Sequence, residues 1–129
     1  MTDKLLNYFS FENTDFLEAD QVIDFLTEEF VLKEETKLFH NKIDCSNIYF
    51  KLLAQLHYLE NKNDTNPSVL SYLNYLIGFY VGLFLHPFCE YEIALYYINK
   101  AISLENDKTQ IEKYKTTISM IKEGMGIED

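Results

Sequence analysis

Two prolines in 129 residues, each standing where a helix would start or break, leave nearly all of this chain free to be helical. Pro67 follows Asn66, an N-cap residue ahead of proline at the first helical position, where the missing N–H costs nothing. Pro87 follows His86 and closes a long apolar run. Elsewhere apolar residues recur three and four apart, and no segment alternates with the two-residue period of a half-buried strand. The chain is therefore expected to be all-α. It should form a compact, irregular array of about five to six helices in antiparallel pairs, within one domain spanning 1–129.

A short helix is expected over 3–9, with a break from Ser10 to Asn13. From about Thr14, the residues Phe16, Ala19, Ile23, Leu26 and Phe30 keep helical spacing. Asp20 offers a second cap inside this stretch, so one long helix and two joined ones both fit, ending between Leu32 and Phe39. Residues 1–40 thus read as an acidic helical segment. Asp44 or Ser46 caps the next helix, about 46–61, whose apolar face carries Tyr49, Leu52, Leu53, Leu56 and Leu59. Further helices follow at about 67–85, 88–105 and 107–124. Asp107 with Gln110 imitates a capping box for the last one, and Gly124 is placed to end it.

The stretch Val69 to Leu85 is seventeen mostly apolar residues containing Gly78-x-x-x-Gly82, a spacing that pairs helices in membranes. It falls short of the roughly 20 residues a span needs. It also contains Ser71 and Asn74 and has no lysine close to either end. A central buried helix fits better than a membrane span. Tyr72, Tyr75, Tyr80, Tyr96 and Tyr97 are expected along the core edge, their hydroxyls reaching water.

Hydrophobic residues make up 47% and aromatics 16%, which excludes a disordered chain. Charge excludes more. With 21 acids against 11 lysines, no arginine and a formal net charge of −10, the chain lacks the basic cluster that phosphate contacts need. The absence of arginine also removes the planar fork used for bidentate anion binding. Two cysteines without CxxC spacing suit a reducing compartment, and the first residues lack the basic-then-apolar order of a signal peptide. A cytoplasmic location is expected.

Residues Tyr75 to Asp107 resemble one degenerate tetratricopeptide repeat, a 34-residue helix-turn-helix unit. Gly82 falls at that family's helix A glycine, Ala94 at its small helix B residue and Ala101 at the second small position. Tyr91-Glu92-Ile93-Ala94 resembles the entry into helix B. Gly78 stands where a large aromatic is usual, Asn106 replaces the closing proline, and 34 residues upstream no second copy exists. The resemblance implies an antiparallel helix pair brought close by small residues, and a protein-binding scaffold.

Catalytic signatures are missing. His86-Pro87-Phe88-Cys89 puts an imidazole three residues from a thiol, and Cys45 with His57 could complete a four-ligand zinc set. Zinc fingers bring ligands in close pairs at both ends, and the 45/57 separation does not, so no metal or cofactor is expected. No Gly-rich oxyanion loop, P-loop, GxGxxG or GxSxG is present. The charge pattern is more informative. Residues 1–35 carry ten acids against Lys4 and Lys33, a net −8. Asp15, Glu18, Asp20, Asp24, Glu28, Glu29 and Glu35 form the candidate partner-binding face, with Asp20, Asp24 and Glu28 in one helix row. A small, acidic, non-catalytic all-α chain reads as a stoichiometric protein binder with a basic protein partner. Two bacterial types fit: an immunity protein (antitoxin) against a basic toxin such as a nuclease, or a small acidic secretion chaperone with a tetratricopeptide-like groove. Gathering of the charge in one segment favours the first.

Overall fold

The computed structural model describes residues 2–27 and 42–127, and among them every regular element is helical and no strand occurs. The chain is all-α. Its elements are α1 (Thr2–Tyr8), α2 (Ala19–Phe25), α3 (Lys42–Glu60), α4 (Pro67–Tyr80), a π-helical turn (Val81–Leu85), α5 (Glu90–Leu104) and α6 (Lys108–Met125). The chain divides into two compact units, Met1–Thr65 and Asn66–Asp129.

In the first unit, the buried apolar side chains are Leu5, Tyr8, Phe9, Val22 and Leu26 from the N-terminal part and Ile48, Leu52, Leu56 and Leu59 from α3. The α3 face is thus rotated from the one its apolar spacing suggests. Ile48 is buried, while Tyr49 and Leu53 are only half-buried. The rotation brings the polar residues Lys51 and Gln55 inside, where both find hydrogen-bond partners. The helix expected from about Thr14 begins only at Ala19. Residues 13–18 are non-helical and α2 starts at Ala19, with Glu18 rather than Asp20 at its N-cap. The Glu18 backbone N–H is bonded to Gln21 Oε1 at 2.8 Å. Ile23, expected in the core, is 52% exposed. The reason is tertiary: backbone groups of residues 13–17 that a helix would use are bonded by α3 side chains instead. The expected helix end between Leu32 and Phe39 lies outside the described residues.

In the second unit, Asn66 caps α4 through its side chain, accepting from the Ser68 N–H at 2.9 Å, with Pro67 in the first turn. The helix widens in its last turn, where the His86 N–H bonds Val81 O five residues back. His86 then takes a left-handed backbone (φ 50°), Pro87 prevents continuation, and Cys89 (φ 58°) turns the chain into α5. Asp107 caps α6 by accepting from the Thr109 N–H at 2.8 Å. Gly126, not Gly124, ends that helix: it adopts φ 71°, with Gly126 N–H bonded to Glu123 O and Ile127 N–H to Lys122 O. This paired closure is the Schellman arrangement, and it needs a residue tolerant of positive φ two residues later than Gly124.

The register of the three helices follows from individual contacts. Ser71 Oγ donates to Ala101 O at 2.7 Å, while Gly78 lies against Ala94 and Ile98, and Gly82 against Ala94. Partner numbers on α5 fall as those on α4 rise, so the two helices are antiparallel. Tyr75 meets Tyr114 and Thr117, and Gly82 meets Ile121, so α6 runs parallel to α4. The stretch Pro67–Leu85 is long and apolar enough by length and composition to cross a membrane, with mean hydropathy 1.5, yet 67% of it is buried inside the protein, the condition of a core helix.

Candidate binding surface

The outward face of α2 consists of Asp20, Gln21, Ile23 and Asp24, all exposed. Val22 and Leu26 bury the opposite face, which fixes the orientation of this short helix. Neither Asp20 nor Asp24 makes an ion pair with a described residue. A half-exposed isoleucine is therefore bracketed by two unneutralised carboxylates. Of the other predicted acids, Asp15 is exposed beside Lys51, while Glu18 is spent internally. The Tyr58 hydroxyl donates to Glu18 Oε2 at 2.5 Å, and Lys62 Nζ lies 3.2 Å from Glu18 Oε1. Those hydrogen bonds, from Tyr58 first and then Lys62, hold the Glu18 carboxyl below its ordinary range. Glu28, Glu29 and Glu35 lie outside the described residues. The helix row is thus Asp20 and Asp24, since α2 ends at Phe25.

Spacing had not marked the residues that hold this acidic segment in place. Lys51 is 7% exposed, and its ammonium donates to Asn13 O and Asn13 Oδ1, each at 3.1 Å, and to Asp15 O at 2.8 Å. It also sits over the rings of Tyr8 and Phe16, 4.7 and 4.8 Å from their centroids. Desolvation lowers its pKa, partly offset by the nearby Asp15 charge. Gln55 is fully buried and accepts from both the Tyr8 hydroxyl (2.6 Å) and the Leu17 N–H (2.8 Å). In sequence, Asn47, Lys51 and Gln55 stand four apart. That spacing is equally the pattern of a solvated face, so nothing local distinguishes it.

In the second unit, Gly82 meets Ala94, while Ala101 lies about two turns further along α5, where its carbonyl accepts from Ser71 Oγ. Ala94 and Ala101 are fully buried, and a Cβ at Gly82 would lie 3.2 Å from Ala94 Cβ and 2.5 Å from Ile121 Cδ1. Tyr91 is half-buried and lines, with Ala94, Leu95, Ile98, Ile118 and Ile121, a shallow apolar dent between α5 and α6 that encloses no space for a water molecule. Tyr75 and Tyr80 are core residues rather than edge residues. Tyr75 stacks on Tyr114 with centroids 4.2 Å apart, and its hydroxyl pairs with Thr117 Oγ1 at 3.0 Å instead of reaching water. Phe88 is 92% exposed in the loop before α5, and Tyr96 is 61% exposed on α5.

The possible zinc or thiol set is divided between the two units. Cys45 and His57 are both on α3, where His57 Nδ1 lies 3.2 Å from Glu60 Oε1, and His86 pairs with Glu90. Neither cysteine is joined in a disulfide, and among the described residues no three His, Cys, Asp or Glu side chains converge where they could hold a metal ion. Compared with protein-family models, curated proteins and solved structures, the chain matches none.

Proposed function

We propose that this protein is a non-catalytic, stoichiometric binder of a basic protein, and within that class an immunity protein that neutralises a cationic toxin domain in a bacterial cytoplasm. The observation carrying the reading is the α2 face, where exposed Ile23 stands between the free carboxylates of Asp20 and Asp24. An apolar anchor inside a charged rim is the anatomy of a protein interface, and carboxylates speed encounter with a cationic partner. Charge supports the same face, because residues 1–65 hold thirteen acids against six lysines, a net −7. A secretion chaperone is the second reading. It draws on the tetratricopeptide-like layering of α4, α5 and α6 and on exposed Phe88 and Tyr96. The α5–α6 dent is too shallow to enclose a peptide chain, so it lends no support to this second reading.

The test uses the product of the adjacent gene as partner. Replacing Asp20→Lys and Asp24→Lys should leave helicity unchanged and weaken binding at least tenfold, about 1.4 kcal/mol. The wild-type association rate should fall steeply with added salt. For an immunity protein, cells with the double variant lose protection while still accumulating soluble protein. Unchanged affinity returns the carboxylates to a solubility role and moves the search to Phe88 and Tyr96.

A further inference from the structure

Residues 10–18 are attached to α3 by an arrangement different from the rest of the unit. None of them is buried, while Tyr8 and Phe9 before them and Val22 and Leu26 after them are anchored in the core. Hydrogen bonds hold the stretch. Asn47 Nδ2 donates to Phe9 O, Lys51 Nζ donates to Asn13 O and Asp15 O, and Gln55 Nε2 donates to Leu17 O at 2.9 Å. Gln55 Oε1 also accepts from the Leu17 N–H. The side-chain amide of Gln55 therefore exchanges both bonds with one residue, as a partner residue does in an antiparallel ladder.

Carbonyls of alternate residues, 13, 15 and 17, all face the helix, the periodicity of an extended strand edge. Between Lys51 and Gln55 the two periods match: four residues of helix rise about 6 Å and two residues of strand about 6.6 Å, so these donors, one turn apart, meet the successive strand carbonyls of Asp15 and Leu17. Side chains add selectivity. The Phe16 ring lies between the Lys51 ammonium, 4.8 Å from its centroid, and the Tyr58 ring, stacked at 5.1 Å. Glu18 next to it meets the Tyr58 hydroxyl and Lys62.

We propose that the Lys51–Gln55–Tyr58 row is a binding site for an extended peptide, occupied in cis by the chain's own residues 13–18. A partner strand of the form Asp-aromatic-x-Glu displaces them and binds in trans. Backbone pairing supplies affinity without regard to sequence, as in strand addition to a sheet edge. The ring slot and the two lysines, Lys51 and Lys62, select the aromatic and acidic side chains. Displacement leaves the apolar core in place, because Phe16 and Leu17 of the strap are only partly buried and the segments on both sides are anchored. The site takes the opposite charge from the α2 docking face, and neither requires the other.

The test uses the full chain and a fluorescein-labelled synthetic peptide of residues 11–20. The variant Phe16→Ala with Leu17→Pro removes the ring from its slot and the N–H that meets Gln55. The labelled peptide should bind this variant at least tenfold more tightly than the wild type, whose own strap competes at high effective concentration. Adding Gln55→Leu should abolish the gain, and a peptide with lysine in place of Asp15 and Glu18 should bind at least tenfold more weakly. Circular dichroism checks the fold; if the double variant loses helicity, Phe16→Ala alone carries the test with a gain of at least threefold. Equal binding to wild type and variant, no binding to either, or binding indifferent to Gln55→Leu or to peptide charge overturns the proposal.

Discussion

Gln55 Oε1 is a single acceptor shared by the Tyr8 hydroxyl and the Leu17 N–H, so the buried tyrosine has every reason to keep its proton. Burial raises the Tyr8 pKa well above its ordinary value of 10.0. The sign of the consequence is fixed: above pH 10 the unfolded chain releases this proton while the folded chain retains it. The stability contributed by Tyr8 is therefore complete below pH 10 and lost as pH rises beyond it. Lys51 works in the opposite direction, since desolvation lowers its pKa below 10.5 and its folded form gives up a proton sooner. Urea titrations at pH 8, 10 and 11 should show wild-type stability falling above pH 10, with Tyr8→Phe less stable at pH 8 but falling less steeply. Parallel losses in the two proteins would mean that this hydroxyl does not govern alkaline unfolding.

At the scale of elements, the α4–α5 pair depends on the absence of side-chain atoms at its crossing. A Cβ on Gly78 would stand 2.8 Å from the main-chain oxygen of Ala94 and 2.5 Å from Ile98 Cγ1, and the backbone oxygen cannot swing aside. Ala94 is fully buried against the same surface. Gly78→Ala and Ala94→Leu should each destabilise by about 1–3 kcal/mol through overpacking. Gly124→Ala should do the reverse, gaining about 0.5–1 kcal/mol, because it is helical and nothing lies within 4 Å of the added carbon. Denaturant midpoints of the three variants check both signs at once. Neutral Gly78 and Ala94 variants would mean that the helices are not in close contact there. An aromatic ring at position 78 would have no room, because Ile98 and the Ala94 carbonyl occupy the space.

For the whole molecule the dominant quantity is the charge of −10, of which residues 1–65 hold −7. Asp20 and Asp24 repel one another along α2, and the buried Lys51 neutralises little of what faces solvent. Self-repulsion of this kind opposes the compact state and is screened by salt. Raising sodium chloride from about 20 mM to about 500 mM should therefore raise Tm by about 3 °C or more, corresponding to about 1 kcal/mol. A flat or falling Tm would show that attractive pairs such as Lys62–Glu18, 3.2 Å apart, outweigh the repulsion.

Local chemistry alone determined the helical class and the starts of α4 and α6, while α3 begins at Lys42, with the expected caps Asp44 and Ser46 inside it. Asn66-Pro67 starts α4 and Asp107 starts α6, because a cap bonds an N–H only two residues ahead and any short window contains both partners. The same locality made the long apolar run readable as a core helix. The strap at 13–18, the exposure of Ile23 and the inward turn of Lys51 and Gln55 were decided by tertiary structure. Their bonds join residues 36 to 38 positions apart, so the backbone groups of 13–17 had a helical partner in every local window and were claimed by α3 only once the chain had folded. The candidate surface divides in the same way. Its acids were visible as charge, but which of them stays free was settled by Tyr58 and Lys62, which reach Glu18 across the fold and leave Asp20 and Asp24 open.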